Sequence, residues 1–200
     1  MYGGWPDNPL PLSEDDQARP NRQCPYAEHK LDAEARCSEA VPTTSLRIVA
    51  VLGPHADPLV KKASAGLRQV VPAARGRRQA LQFLHEDDAA AALLAAVKRA
   101  DLSGVYNVAP ADWLDENGVA DVSGGRVVRL PFPLLLHGSE VARRLHLMDV
   151  GADRAVLLNG PLAVDPAKAA RDLGWEASRT SADVLREFLS ALGQPKPTHP

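Results

Sequence analysis

Tyr26 and Lys30, in the pentapeptide Tyr-Ala-Glu-His-Lys, are the strongest candidates for chemistry in this 200-residue chain. On a helix their i,i+4 spacing sets phenol and ammonium on one face, close enough to interact. A free phenol titrates near about 10 and is a poor base at neutral pH. A neighbouring cation favours the phenolate and moves it toward the working range of a general acid/base. The ammonium can also donate hydrogen bonds to a ribose. Tyr-x-x-x-Lys is common by chance, so its weight depends on the elements around it.

The helix that must carry the pair is expected from Tyr26 to about Ala40. Tyr26, Lys30, Ala33 and Cys37 share one face, Pro25 suits the first turn, and Pro42 closes the element. The preceding 25 residues are loop-like, interrupted by Gly3, Gly4 and five prolines. Leu46 to Leu52 (LRIVAVL), closed by Gly53-Pro54, reads as a strand buried on both faces of a parallel sheet. Helices are expected over 58–67 and 88–100, the latter capped by Asp87 or Asp88. Further strands are expected at 81–84, 105–108, 126–130 and 155–158. Asp112 with Asp115 resembles a capping box opening a helix that ends near Gly124. A helix over 133–148, with Gly138 as a candidate break, follows. Asp165-Pro166 opens the next, with Gly174 past its end. The last helix runs from Ser181 to about Leu192. Strands alternating with helices mean α/β.

Composition narrows the function classes. A net charge of -2 and a pI near 6.3 give no electrostatic reason to expect nucleic acid or an anionic membrane. No stretch approaches the roughly 20 apolar residues of a membrane span, and no signal pattern opens the chain; a cytoplasmic setting fits. Cys24 and Cys37 have no metal-ligand spacing and are expected reduced. His85 with Asp87 and Asp88 lacks a third ligand, so helix capping is the expected role and no metal site is assigned. His137 and His146 read as ordinary helix side chains, and Trp113 and Trp175 as packing anchors. Arg75, Arg77 and Arg78 read as a solvated loop.

Five ordered motifs carry a resemblance. Tyr2-Gly3 with the prolines up to Glu14 leads into Tyr26-x-x-x-Lys30. Leu46-Arg47 then runs to Gly53-Pro54. Gln82-Phe-Leu-His-Glu-Asp-Asp88 precedes a helix, Gly104-Val-Tyr-Asn107-Val forms a strand, and Asp165-Pro-Ala-Lys168 leads to Leu173-Gly174-Trp175. Together they resemble the carboxy-terminal part of the extended short-chain dehydrogenases/reductases of the NAD-dependent epimerase/dehydratase family.

The resemblance implies a C-terminal part of a Rossmann-like doubly wound parallel sheet plus a small α/β substrate-binding lobe. Residues 1–25 would be a loop leading from the family's catalytic Ser/Thr strand. Residues 26–108 would be the remainder of the Rossmann-like core, 109–192 mainly the lobe, and 193–200 a flexible tail. It implies a general acid/base at Tyr26, with Lys30 lowering its pKa and binding the nicotinamide ribose, and the backbone at Ile48 and Val49 near the nicotinamide of NAD or NADP. It implies hydride transfer on a small-molecule substrate, most often a nucleotide sugar, and a homodimer through the Tyr26–Ala40 helix.

The chain departs from the family in three ways. It has no Gly-x-x-Gly-x-x-Gly or Gly-x-Gly-x-x-Gly to cradle a pyrophosphate, and the family's catalytic Ser/Thr would fall just before Tyr2. Leu81 and Gln82 stand where sugar-nucleotide epimerases carry an Arg-Asp pair, and Ala50 matches a family Asn. Two other readings follow: an inactive remnant serving as a binding or dimerisation module, and a reductase of a non-nucleotide ketone or alcohol.

Overall fold

The computed structural model describes residues 1–145 and 151–192. Helix α1 (Pro25–Ala40) leads into strands β1 (Thr44–Ile48) and β2 (Ala50–Leu52), then α2 (Pro58–Gly66) and β3 (Val70–Ala74). β4 (Phe83–His85), α3 (Glu86–Lys98) and β5 (Gly104–Val108) follow, then α4 (Glu116–Ser123) and β6 (Arg126–Leu130). α5 (Phe132–Arg144), a short α6 (Ala152–Ala155) with a 3₁₀ turn, α7 (Ala167–Leu173) and α8 (Ser181–Leu192) follow in turn. Among the described residues the strand pairs are parallel: β1 with β5, β2 with β4, β3 with β6. The fold is the expected α/β.

The apolar run LRIVAVL serves two partners in succession. It pairs with β5 up to Ile48, breaks at Val49, and pairs with β4 from Ala50. Side chains alternate across it. Ser45 and Arg47 face α1, where both bond Glu34, while Leu46 and Ile48 pack into a cluster with Leu84, Ala92, Tyr106, Val108 and Trp175 beneath α3 and α7. The expectation of full burial is corrected: β1 is half-buried along its length, and Ala50 and Val51 are exposed. A second cluster joins Leu52, Val71, Val119, Val184 and Phe188 around α8.

Four other expectations change. Residues 155–158 are helical: α6 and the 3₁₀ turn lie between Gly151 and Gly160. A short apolar run does not by itself distinguish strand from buried helix. The N-cap of α3 is His85, whose Nδ1 accepts from the Asp87 amide at 3.1 Å, and not Asp87 or Asp88. Asp115, accepting from Gly118 N at 2.7 Å, caps α4, while Asp112 accepts from Ser181 N at the start of α8. Helix α5 runs unbroken through Gly138. The expectations for His146, the end of that helix and the tail from residue 193 lie outside the described residues.

Close packing fixes the amino-terminal loop. A Cβ on Gly160 would collide with the Trp5 carbonyl, so only glycine lets these backbones touch. Leu12 bridges to Val164 in parallel fashion. Gly174 ends α7 at φ 63°, the left-handed position anticipated for it.

Candidate active site

Helix α1 is held by one face. A single residue, Ala27, is fully buried along its length, packed with Cys24 and Val156. Glu34 is the second anchor. Its carboxylate accepts two bonds from Arg47, at 2.6 and 3.1 Å, and one from Ser45 at 2.7 Å. Both side chains of this ion pair are only about a tenth exposed, at 10% for Arg47 and 11% for Glu34. Burial opposes ionisation of Glu34, yet the hydrogen bonds from Arg47 and Ser45 outweigh it and hold the carboxyl below its ordinary range. Arg47 is likewise penalised by burial, and Glu34 and Tyr2 together more than offset this.

Arg47 reaches a third element. Its Nη1 donates to the Tyr2 hydroxyl at 2.7 Å, and its guanidinium lies 4.9 Å from the Tyr2 ring centroid. The Tyr2 hydroxyl in turn donates to the Ser13 carbonyl at 2.9 Å. Burial pushes the Tyr2 phenol up, against the pull of Arg47. Glu14 accepts from the Asn107 backbone amide at 2.7 Å. The amino-terminal loop, α1, β1 and β5 are thus joined through one polar network. Only the motif membership of Tyr2, Glu14, Arg47 and Asn107 was noted from sequence; Glu34 was missed. The signal existed: an arginine inside a run read as buried requires a buried acid, and Glu34 lies on the helix just before it.

The Tyr26–Lys30 pair of α1 is open to solvent. Tyr26 is 69% exposed, and Lys30 is exposed beside it with Nζ 5.6 Å from the tyrosine ring centroid. Neither the Tyr26 hydroxyl nor the Lys30 ammonium hydrogen-bonds a described residue. Because α1 packs antiparallel to β1, Lys30 and Tyr26 lie roughly 6 and 12 Å beyond Glu34 along the helix axis, at about 1.5 Å per residue. Along the axis this is the direction in which β1 runs toward Ile48 and Val49. The Val49 amide is used by Val108 O at 3.2 Å. In open α/β sheets, ligands bind outside the carboxyl ends of the strands.

A cleft of about 590 Å³ opens near the end of β5, lined by Pro11, Ala109, Trp113, Val164, Asp165 and Arg171 among others. Trp113, 39% exposed, lines it, which corrects its reading as a packing anchor. Trp175 is buried, and its indole donates to the Asp88 carbonyl at 3.1 Å, as a packing anchor should. None of Tyr26, Lys30, Ile48 or Val49 lines the cleft, although Val49 packs against Leu12, Ala109 and Val164 beneath it. No group of three metal-ligating side chains occurs among the described residues.

The departures from the family have structural partners. Leu81 packs into the α8 cluster and pairs its backbone with Leu114. Gln82 is buried and bonded throughout: Nε2 donates to Pro110 O and Val164 O, and Oε1 accepts from Val164 N. Arg75, Arg77 and Arg78 are exposed. For a dinucleotide, the phenol and ammonium of Tyr26 and Lys30 are exposed side by side and have the donor chemistry a ribose would need. The described residues hold no glycine-rich turn for its pyrophosphate.

Parallel strand pairs layered with helices define an α/β protein. The chain belongs to the NAD dependent epimerase/dehydratase family, whose sequence model matches residues 1–109. An uncharacterized protein of Mycobacterium tuberculosis is 25% identical over 205 residues, covering 96% of this chain and 52% of that protein. Another, from Sinorhizobium fredii, is 23% identical over 94% of this chain and 49% of its own length. The chain therefore spans about half the length of these relatives. Among solved structures, UDP-N-acetylglucosamine 4-epimerase from Bacillus cereus superposes with a TM-score of 0.60 at 16% identity, over 93% of this chain and 60% of that one. The Bordetella bronchiseptica enzyme WbmG, in complex with NAD and UDP, gives 0.62 at 21%, over 94% and 54%. These likenesses establish the extended short-chain dehydrogenase/reductase fold. No described helix is long and apolar enough to cross a membrane.

Proposed function

We propose that this chain supplies the acid/base tyrosine and much of the substrate site of a cytoplasmic NAD(P)-dependent enzyme. That enzyme would act as an epimerase, dehydratase or reductase on a nucleotide sugar or a related hydroxyl or carbonyl compound. The observation that carries this reading is the exposed Tyr26–Lys30 pair of α1, with the ammonium 5.6 Å from the ring centroid and neither polar group hydrogen-bonded to a described residue. Family membership and neighbours that include a UDP-sugar epimerase support it.

The nicotinamide, when bound, supplies or accepts the hydride. Tyr26 exchanges the accompanying proton with the substrate oxygen through its hydroxyl. Lys30 donates to the ribose hydroxyls and so sets the distance between cofactor and phenol. Arg47 and Glu34 hold α1 against β1 and thereby fix where that face points. Asp165 and Arg171 around the cleft, with Trp113, offer an apolar, polar-rimmed seat for the non-reacting part of a substrate. A homodimer through α1 is a further proposal, supported by the exposure of nearly all of that helix; a monomeric mass by sedimentation at micromolar concentration would remove it.

One observation favours a second substrate class. Leu81 lies in an apolar cluster where a phosphate-binding arginine is expected, so a non-nucleotide ketone or alcohol fits that position better. The test joins this chain to a glycine-rich nucleotide-binding half and assays cofactor-dependent turnover on UDP-sugars and on simple ketones. Turnover that falls by about 10²–10⁴-fold in Tyr26→Phe, with unchanged cofactor affinity, supports the reading. Undiminished turnover removes Tyr26 from the mechanism.

A further inference from the structure

The cleft near the end of β5 has a firm floor. Leu12 N donates to Ala163 O at 2.8 Å and Asp165 N to Leu12 O at 2.7 Å, which clamps the amino-terminal loop to the segment ahead of α7. Leu12, Ala109 and Val164 are buried together behind it, with Val49 packed against them. Alanines at 111, 167, 170 and 177 line the rest, and their single methyl groups leave space that longer side chains would fill. At about 590 Å³ the cleft is of the size that takes a small organic molecule.

Its walls carry an aromatic face and unused carboxylate oxygens. Trp113 is 39% exposed, and its indole enters no hydrogen bond or cation–π contact with a described residue. Asp165 accepts from Ala167 N through Oδ1 at 2.9 Å, which leaves Oδ2 open. Glu176 is exposed and makes no hydrogen bond or ion pair with a described residue. Among the described lining residues the one cation is Arg171, and Asp172 already holds it at 2.8 and 3.3 Å. A cleft lined by one sign of charge concentrates the opposite sign, and an indole face attracts an ammonium set over it. The same rim opposes a phosphate, and Leu81 independently withholds the arginine a phosphate would need.

We infer that this cleft binds an organic cation: an ammonium group on an apolar or aromatic body, its charge on Asp165 and Glu176 and its body against Trp113 and the alanine floor. This rests on the reading of the cleft as the seat for the non-reacting part of a substrate, and narrows it. The hydroxyl or carbonyl compound turned over with Tyr26 then carries an amine in place of a nucleotide diphosphate.

The test uses the 200-residue chain, isotopically labelled, and follows the Trp113 indole N–H resonance, assigned by its loss in Trp113→Phe. The probes are phenethylamine, protonated at neutral pH, the neutral phenethyl alcohol, and the anions phenylacetate and UDP. Phenethylamine should shift the resonance saturably and bind about tenfold more tightly than the alcohol. Phenylacetate and UDP should leave it unmoved at the same concentration. Asp165→Asn with Glu176→Gln should bring phenethylamine down to the affinity of the alcohol, which itself stays unchanged; asparagine keeps an acceptor for Ala167 N. If that double variant fails to fold, Glu176→Gln alone decides by lowering the amine-to-alcohol ratio roughly threefold. Equal affinity for amine and alcohol, a preference for UDP or phenylacetate, or no saturable shift with any probe overturns the inference. Amine binding in a joined enzyme that shows no Tyr26-dependent turnover would leave this inference standing and remove the proposed function. Tyr26-dependent turnover without amine binding would do the reverse.

Discussion

Helix α1 carries two pairs of residues with opposite fates. Ala27 and Glu34 are fastened to the rest of the molecule, Glu34 through three hydrogen bonds. Tyr26 and Lys30, one and four residues away from them, touch only each other among the contacts described. A side chain whose polar atoms are used internally stabilises the fold, and one whose polar atoms are left open can act on something else. The difference separates stability from chemistry along a single helix, and substitutions at the two pairs should separate them too.

The largest stability effect should come from Arg47→Met. It leaves the Glu34 carboxylate buried and unpaired, at a cost of about 3–5 kcal/mol, read as a lowered urea midpoint. The double variant Arg47→Met with Glu34→Leu should recover much of that loss, since removing both charges relieves the unpaired one. Acid titration tests the same anchor. Glu34 is held below its ordinary value, so its contribution is complete above the unfolded pKa of about 4.3 and disappears as pH falls through the folded value. Glu34→Gln should therefore be less stable than the parent at pH 7 and converge with it at acid pH. Glu140, pulled down to about 2 by hydrogen bonds from Arg143 and, secondarily, Arg144, adds its own acid-side slope. The difference between parent and Glu34→Gln is accordingly the quantity to measure.

Smaller effects lie elsewhere. Asp112→Ala removes the acceptor for the Ser181 amide at the start of α8 and should cost about 1 kcal/mol in thermal unfolding. At the exposed pair, Tyr26→Phe and Lys30→Met should change the unfolding free energy by no more than about 0.5 kcal/mol, as for surface positions without buried partners.

Much of this architecture was legible in the sequence, for identifiable reasons. The strands at 105–108 and 126–130 and the helix from Ser181 announced themselves through apolar runs and periodicity. Val70–Ala74 did not, because Pro72 reads as a strand breaker. In the structure Pro72 faces outward from the β3–β6 ladder, where no amide is needed. Tyr26 and Lys30 were visible because helical spacing makes a face from four residues. The Glu34–Arg47–Tyr2 network was not, because its members lie 13 and 45 positions apart and only tertiary packing joins them. Capping illustrates the same limit: Asp112 has the residue type of a local cap, yet it serves a helix 69 residues away.

The most direct measurement is single-turnover hydride transfer in a protein that joins this chain to a glycine-rich nucleotide-binding half, comparing the parent with Tyr26→Phe. The account predicts a rate lower by about 10²–10⁴-fold in Tyr26→Phe, with equal cofactor affinity and equal stability. A hydride-transfer rate within a factor of about three of the parent would contradict it.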